Sequence, residues 1–369
     1  MADDFKYHID HHSSLITPAE LAEARIARVR GDIDDAQLRS VEDRLIKDAL
    51  HTQRRLGLAA LGDGQLRRRN SLAPIYDGIE GFGAETAATG PVAELVGRHL
   101  APEYRPLQAT PKAKAAAGGR LVADEAAFVI ADDVDRPVLV ALPSPGFVLA
   151  LTGDADGTAS EEATEALAAI IREEVVALAS EGVVYVQLHN PLAGILLTNA
   201  GRERAKTLGL DPDALLVQLV AADAKVLEGL AERTPENLRT GLDLTTAGAD
   251  YAKQGYDAAA TTRFVATQPY DRLCVEYPQD EAARFPIDLL KAGTVVALGV
   301  VDVSVPEAED VDALVARIDM AAAVVDIDDI AISTNGGFTS SPTAMTEPQQ
   351  RAKLQLVEMT ARYFWGNEL

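Results

Sequence analysis

Residues 182–191, GVVYVQLHNP, decide the fold. The run opens apolar and β-branched and closes on Gln187, His189 and Asn190, three side chains able to bind or react. A helix-patterned segment (161–180) precedes it and another (211–230) follows, so it reads as a buried parallel strand in a βαβ series. Its last residues should therefore face a site. If the sheet closes into a barrel, the carboxyl ends of the strands form the active face and His189 stands at its rim.

Working outward, the same alternation repeats. Upstream, residues 6–12 (KYHIDHH) form a short strand candidate, and Thr17, Pro18 and Glu20 fit a capping box that starts a helix. A second helix begins at Asp34 or Asp35, with Leu38, Val41, Leu45 and Ala49 on one stripe. Residues 56–63 (LGLAALGD) read as a second strand ending in Asp63, and 137–142 as a third. Between them, residues 67–119 lose the pattern. The basic triplet Arg67, Arg68, Arg69 and a lysine-bearing, small-residue stretch at 110–119 mark an excursion, a hairpin over the barrel mouth.

Downstream, residues 239–245 end in Asp243 and Thr245, residues 271–277 carry Glu276, and 294–301 form a seventh strand. The eighth, 329–334, runs into Asn335, Gly336, Gly337 and Phe338, and a last helix covers 348–363. Eight strands alternating with helices predict an α/β fold: a single (β/α)8 TIM barrel spanning residues 1–369, with an N-terminal helical extension and the hairpin excursion after strand 2. A doubly wound open sheet is the runner-up, but no glycine-rich phosphate turn follows any strand.

The chain is 47% hydrophobic, enough for a large core, and has no apolar run long enough to cross a bilayer. A net charge of -23 argues against nucleic acid and anionic membranes, which need a positive field. A small-molecule substrate is the expected partner, and the oligomeric state stays open. One cysteine, and no basic-apolar signal segment, favour a cytoplasmic location.

His189 could serve as general base or acid, with Asn190 or Asp243 as orienter; the plainer alternative is a histidine that bonds a neighbouring strand. On an alternating strand His8 and His12 share one face and His11 the other, which disfavours a metal cluster among them. Asp243 and Glu276 end adjacent strands and could form an acid/base pair or hold Mg2+ or Mn2+; the alternative is separate partners, Arg239 or Arg272 among them. Asp63, beside Gly64, suits a tight turn. Arg67 and Arg68 could bind an anionic group or form a solvated face.

Several of these stretches resemble one family. DHHSSLITP at residues 10–18 resembles the "DHVGSLLRP" opening of the cobalamin-independent methionine synthases. GDGQLRR (62–68) resembles their "TDGE-x-RR", LPSP (142–145) their "LPSP", and YVQLHNP (185–191) their "YVQIDEP". LDLT (242–245) stands in the place of "LHLC", Glu276 in that of the glutamate in "LEY", and residues 333–338 in that of "SPQCGF". The resemblance spans the chain and implies a barrel that activates a thiolate on zinc for alkyl transfer. It also covers the epoxyalkane:coenzyme M transferases.

The departures are informative. The family's His, Cys, Glu and Cys zinc ligands fall on Asp243, Thr245, Glu276 and Gly336, so one of four survives and zinc is not expected. The lone Cys274 reads as a mid-strand core residue. The two carboxylates that grip the homocysteine ammonium in the family become Gln65 and His189, so homocysteine is not the expected substrate. What remains is a polar mouth in which His11, His12, Ser14, Asp63, Gln65, Arg67, Asn190, Thr245 and Asn335 are substrate-binding candidates. His189, Asp243 and Glu276 are the catalytic ones. The leading expectation is a zinc-independent methyl or alkyl transferase or lyase, acting by acid/base chemistry on a small anionic or neutral polar substrate. A hard-metal enzyme at Asp243 and Glu276 and a catalytically silent binding barrel are the alternatives, and use of a folate donor stays open.

Overall fold

Six of the expected strands form one parallel sheet in the computed structural model, which describes residues 8–97, 99–101, 103–107, 114–115, 119–132, 136–248, 250–340 and 343–366. They are β1 (Leu139–Pro143), β2 (Tyr185–His189), β3 (Arg239–Asp243), β4 (Arg272–Glu276), β5 (Val295–Val301) and β6 (Ile330–Thr334). Each pairs with the next in chain order. Nearly all of their residues are buried, as expected of parallel strands covered by helices on the far side.

The two remaining expected strands are reduced to single parallel bridges at the sheet edges. Leu61 pairs with Val138, and Ile9 with Ile332. Where these segments meet, the His11 imidazole donates from Nε2 to the Ala60 carbonyl at 2.9 Å, and Leu15 N donates to Gly64 O at 3.1 Å. No strand ladder joins them among the described residues, so the structure shows an open six-stranded ladder and no closed barrel.

The helices follow the sequence pattern closely. Asp35–Arg55 is capped by Asp34, with Gln37 completing a capping box; Glu161–Glu181 starts at Ser160, and Pro212–Leu227 at Asp211. Helices Val311–Ala322 and Glu347–Trp365 pack against each other and against the β5 and β6 side of the sheet. The Thr17 capping box does not form. Helix Ala19–Arg30 starts after Pro18 with no side-chain cap, and Glu20 pairs with Arg44 instead. One apolar cluster runs through the chain from Ile9 to Trp365. No helix among the described residues is long and apolar enough to cross a membrane.

The excursion holds two short helices, Ala73–Gly78 and Pro91–Val96, and two antiparallel pairs of two-residue strands. Most of the lysine-bearing stretch at 110–119 lies outside the described residues.

Register places the chemistry. His189 stands opposite Asp243 and Asp243 opposite Cys274. Since side chains alternate, Tyr185, Gln187 and His189 share one face of β2, with Asp243 on β3 and Arg272, Cys274 and Glu276 on β4 beside them. Gly241 makes this crowding feasible: a Cβ there would lie 2.8 Å from the Tyr185 hydroxyl.

Candidate active site

At the carboxyl end of the sheet, one carboxylate oxygen receives two imidazoles. Asp243 Oδ2 accepts from His12 Nδ1 at 2.9 Å and from His189 Nδ1 at 2.8 Å. Its other oxygen, Oδ1, accepts the Thr245 amide at 2.9 Å and the Thr245 hydroxyl at 2.7 Å. Burial alone would raise the Asp243 pKa, but His12 and then His189 outweigh it and hold the carboxyl well below the usual range. Asp243 is therefore an anion at any physiological pH.

His12 carries the matching charge. Its Nδ1 faces the carboxylate and its Nε2 faces the Thr334 carbonyl at 2.9 Å, with Ser333 Oγ at 3.1 Å. A carboxylate and a carbonyl can only accept, so both ring nitrogens donate and the ring is an imidazolium. Burial opposes that charge, yet Asp243 overrides it and the pKa rises to about 9. His189 differs: it is 19% exposed, and its Nε2 has no hydrogen-bond partner among the described residues. In its uncharged form, with Nδ1 donating to Asp243, the ring presents an Nε2 lone pair.

The backbone that aims His12 is unusual. His12 and Ser13 have φ of 57° and 52°, and the Asp10 carboxylate accepts the amides of His11 and His12 at 2.8 and 3.3 Å. This left-handed turn breaks the alternation assumed from the sequence. His8 stacks on Trp365 and bonds Ile330 O, His11 turns to Ala60, and His12 reaches Asp243. Asp10 is itself anchored by Arg272 Nε at 3.1 Å and by the Tyr185 hydroxyl at 2.9 Å. Asp10 and Tyr185 fell inside the quoted motifs and Arg272 among the possible carboxylate partners, but their joining in one inner network was not foreseen.

The other candidates divide. His12, Ser14, Gln65, His189 and Asp243 line one cleft together with Gln187, Arg68, Ser71, Gly337 and Thr339. Ser14 Oγ bonds Thr339 Oγ1, and Gln65, also left-handed at φ 58°, reaches the His12 carbonyl. Asn190 does not face the cleft: it caps Pro191–Leu197 and bonds Asp223 at 2.6 Å. Asn335 bonds Asp302 and Val303, and Asp63 accepts Gln65 N to hold its turn. Arg67 is drawn onto Glu42 and Asp43 and over the Phe128 ring, away from the cleft. The expected convergence of Asn190, Asn335 and Arg67 on one mouth is thus corrected by geometry.

Asp243 and Glu276 do not touch. Glu276 Oε1 accepts Thr246 N and Oγ1, both at 3.0 Å, and burial pushes its pKa up to about 7. Neither Arg239 nor Arg272 is its partner: Arg239 bonds backbone carbonyls and Arg272 holds Asp10.

A metal fits these residues poorly. Of the family-aligned ligand places, the Thr245 hydroxyl is spent on Asp243, Glu276 turns to Thr246, and Gly336 has no side chain. The one group of three metal-capable side chains among the described residues is His12, Asp243 and Cys274. There both His12 nitrogens already meet acceptors, and burial pushes the Cys274 thiol up, away from the thiolate a metal needs.

No family model matches the chain. Among curated proteins it is 25% identical to the uncharacterized protein YxjH of Bacillus subtilis (strain 168), over 97% of this chain and 95% of that one. The uncharacterized protein YxjG of the same organism matches at 25% over the same shares. Among solved structures it is similar to a B12-independent methionine synthase from Shewanella sp. W3-18-1 in complex with selenomethionine. That match has a TM-score of 0.72 and 17% identity, and covers 98% of each chain. A methyltransferase from Methanosarcina mazei is similar at a TM-score of 0.54 and 13% identity, covering 98% of this chain and 95% of that one. At these identities the likeness to the solved structures is one of fold.

Proposed function

We propose that the chain is a zinc-independent group-transfer or elimination enzyme of the (β/α)8 type, with His189 as its proton-transfer residue. The observation that carries this reading is the shared Asp243 oxygen, which fixes His189 in the tautomer whose Nε2 faces the cleft, as a carboxylate does for a catalytic imidazole. His12 balances the Asp243 charge and locks its position. Glu276, turned to Thr246, takes no part in the chemistry.

For alkyl transfer the steps balance simply. His189 Nε2 takes the proton of an acceptor X–H, X forms its bond to the alkyl carbon as that carbon's bond to the donor atom Y breaks, and His189 returns the proton to Y. Elimination would begin with the same proton removal. The inner cleft has a volume of about 30 Å³, while an adjoining basin that shares Gln65, Arg68, Ser71 and Thr339 offers about 440 Å³. This favours a substrate with a small reacting group and a larger polar body. The lone, buried Cys274 suits a reducing cytoplasm.

Nitrogen NMR of labelled histidines tests the reading without knowledge of the substrate. Near neutral pH His12 should be protonated on both nitrogens, and the uncharged form of His189 should carry its proton on Nδ1. A His189 ring carrying its proton on Nε2 would remove the base from the cleft and end the proposal.

A further inference from the structure

Gln187 is fully buried in the middle of β2 and lines the inner cleft one residue pair below His189. Its amide orientation is set from beneath. The Tyr185 hydroxyl spends its proton on the Asp10 carboxylate at 2.9 Å, so toward Gln187 that oxygen can only accept. Gln187 Nε2 therefore donates to Tyr185 Oη at 3.1 Å and to Cys274 Sγ at 3.1 Å. The carbonyl Oε1 is left at the other side of the amide, buried and without any partner. Native cores seldom leave such an acceptor unpaired, and those that do tend to reserve it for a ligand or water.

The charges around the cleft point the same way. All three arginines of the 67–69 triplet are balanced by carboxylates: Arg67 by Glu42 and Asp43, Arg68 by Glu125, Arg69 by Asp77 and Glu85. Both N–H groups of His12 are taken by Asp243 and the Thr334 carbonyl. No lysine lines the inner cleft or the adjoining basin. An anion pushed to the inner end would meet the Gln187 carbonyl and the Asp243 charge with no uncommitted cation beside them.

From these two independent observations we propose that the inner cleft selects a small neutral group bearing an N–H, O–H or S–H, and that Gln187 Oε1 is the residue that recognises it. Two acceptors, Gln187 Oε1 and His189 Nε2, stand two residues apart on one strand face, roughly 7 Å along the chain. A neutral donor group held by the first lies beside the second. The inference rests on the His189 reading for its chemistry but not for its binding. It narrows the substrate class: the reacting group enters protonated and uncharged, as an alcohol, thiol or primary amide, and carboxylates and phosphates are confined to the outer basin.

Acetamide and acetate have the same shape and differ in what matters here, since only acetamide can donate and only acetate is charged. Titrating each into the full-length 15N-labelled protein, up to about 100 mM as suits fragments this small, should shift the Gln187 side-chain amide signals with acetamide and leave them unmoved with acetate. Gln187→Met should weaken acetamide binding roughly three- to tenfold. The histidine NMR that tests the catalytic reading needs no acetamide, so a failure of that reading and a failure of this one give different results. Acetate binding as tightly as acetamide, or no acetamide binding in this range, would overturn the proposal. So would acetamide affinity indifferent to Gln187→Met. The wild-type comparison stands even if that variant does not fold.

Discussion

Replacing Asp243 by Asn keeps shape and removes one charge, and its cost should depend on pH in a way that only a buried imidazolium produces. In the folded protein burial opposes the His12 charge, but Asp243, helped by Asp10 and the Thr334 carbonyl, lifts its pKa from 6.5 to about 9. A raised histidine pKa means the folded state binds more protons than the unfolded one, so its stabilisation is complete below the unfolded pKa and is lost as pH rises through the folded one. Near pH 5 the full shift is worth roughly 3 kcal/mol, at pH 7 between about 2 and 3, and by pH 9 below about 1. Asp243 itself, held far below the usual carboxylate range, stays ionised throughout and adds no slope in this window. The destabilisation caused by Asp243→Asn, measured by urea unfolding at these three pH values, should therefore shrink steadily as pH rises. A constant or growing penalty would mean that His12 is neutral, and the charge assignment of the site would fail. Repeating the series in a His12→Gln background should abolish the slope, since the titrating partner is gone.

Three further outcomes are expected. His189→Gln should lower turnover of the true substrate by roughly 10²- to 10⁴-fold with little change in melting midpoint, because the ring is part-exposed and bonds a carboxylate that keeps its other partners; a large drop in the midpoint would mark His189 as scaffold. Glu276→Gln should stabilise the protein by roughly 1–3 kcal/mol above pH 7 and leave it unchanged near pH 4, since burial raises this carboxyl to about 7 and ionising it is what opposes folding; greater stability of the wild type at pH 8 would contradict this. Neither methyl transfer to homocysteine nor a full equivalent of zinc after dialysis should be found in the purified protein, and either result would refute the reading of Asp243, Thr245, Gln65 and Gly336 as departures from a zinc-thiolate site.

The strands from residue 137 onward were legible because burial on both faces writes a continuous apolar run, and the turn residues after each run mark where the chain reaches the site. His189 and Asp243 could be placed at strand ends from that pattern alone, and register then forced them opposite one another. The first two strands were not legible in the same way. Each contributes only a single bridge, and the chain beyond Ile9 leaves extended geometry within three residues, at His12. A two-residue period cannot survive a left-handed turn, so the sequence rule that put His8 and His12 on one face failed at the residue that matters most.

The same turn explains why the inner network was invisible. Asp10 looked like part of a motif, yet its function is local and physical: one oxygen holds the amides of the His11–His12 turn, and the other is held by Arg272 and Tyr185. A non-glycine residue in this backbone region is strained, and surrounding bonds must over-determine it for it to persist. Four such residues occur among those described, His12, Ser13, Gln65 and Ala247. His12 and Gln65 line the cleft, Ser13 joins His12 to the cleft residue Ser14, and Ala247 packs against Gly336 beside Gly337 of the cleft. Strain gathered at one end of an otherwise regular sheet fits a site built for chemistry better than a relic, because a relic free to drift would relax first where the backbone is least comfortable.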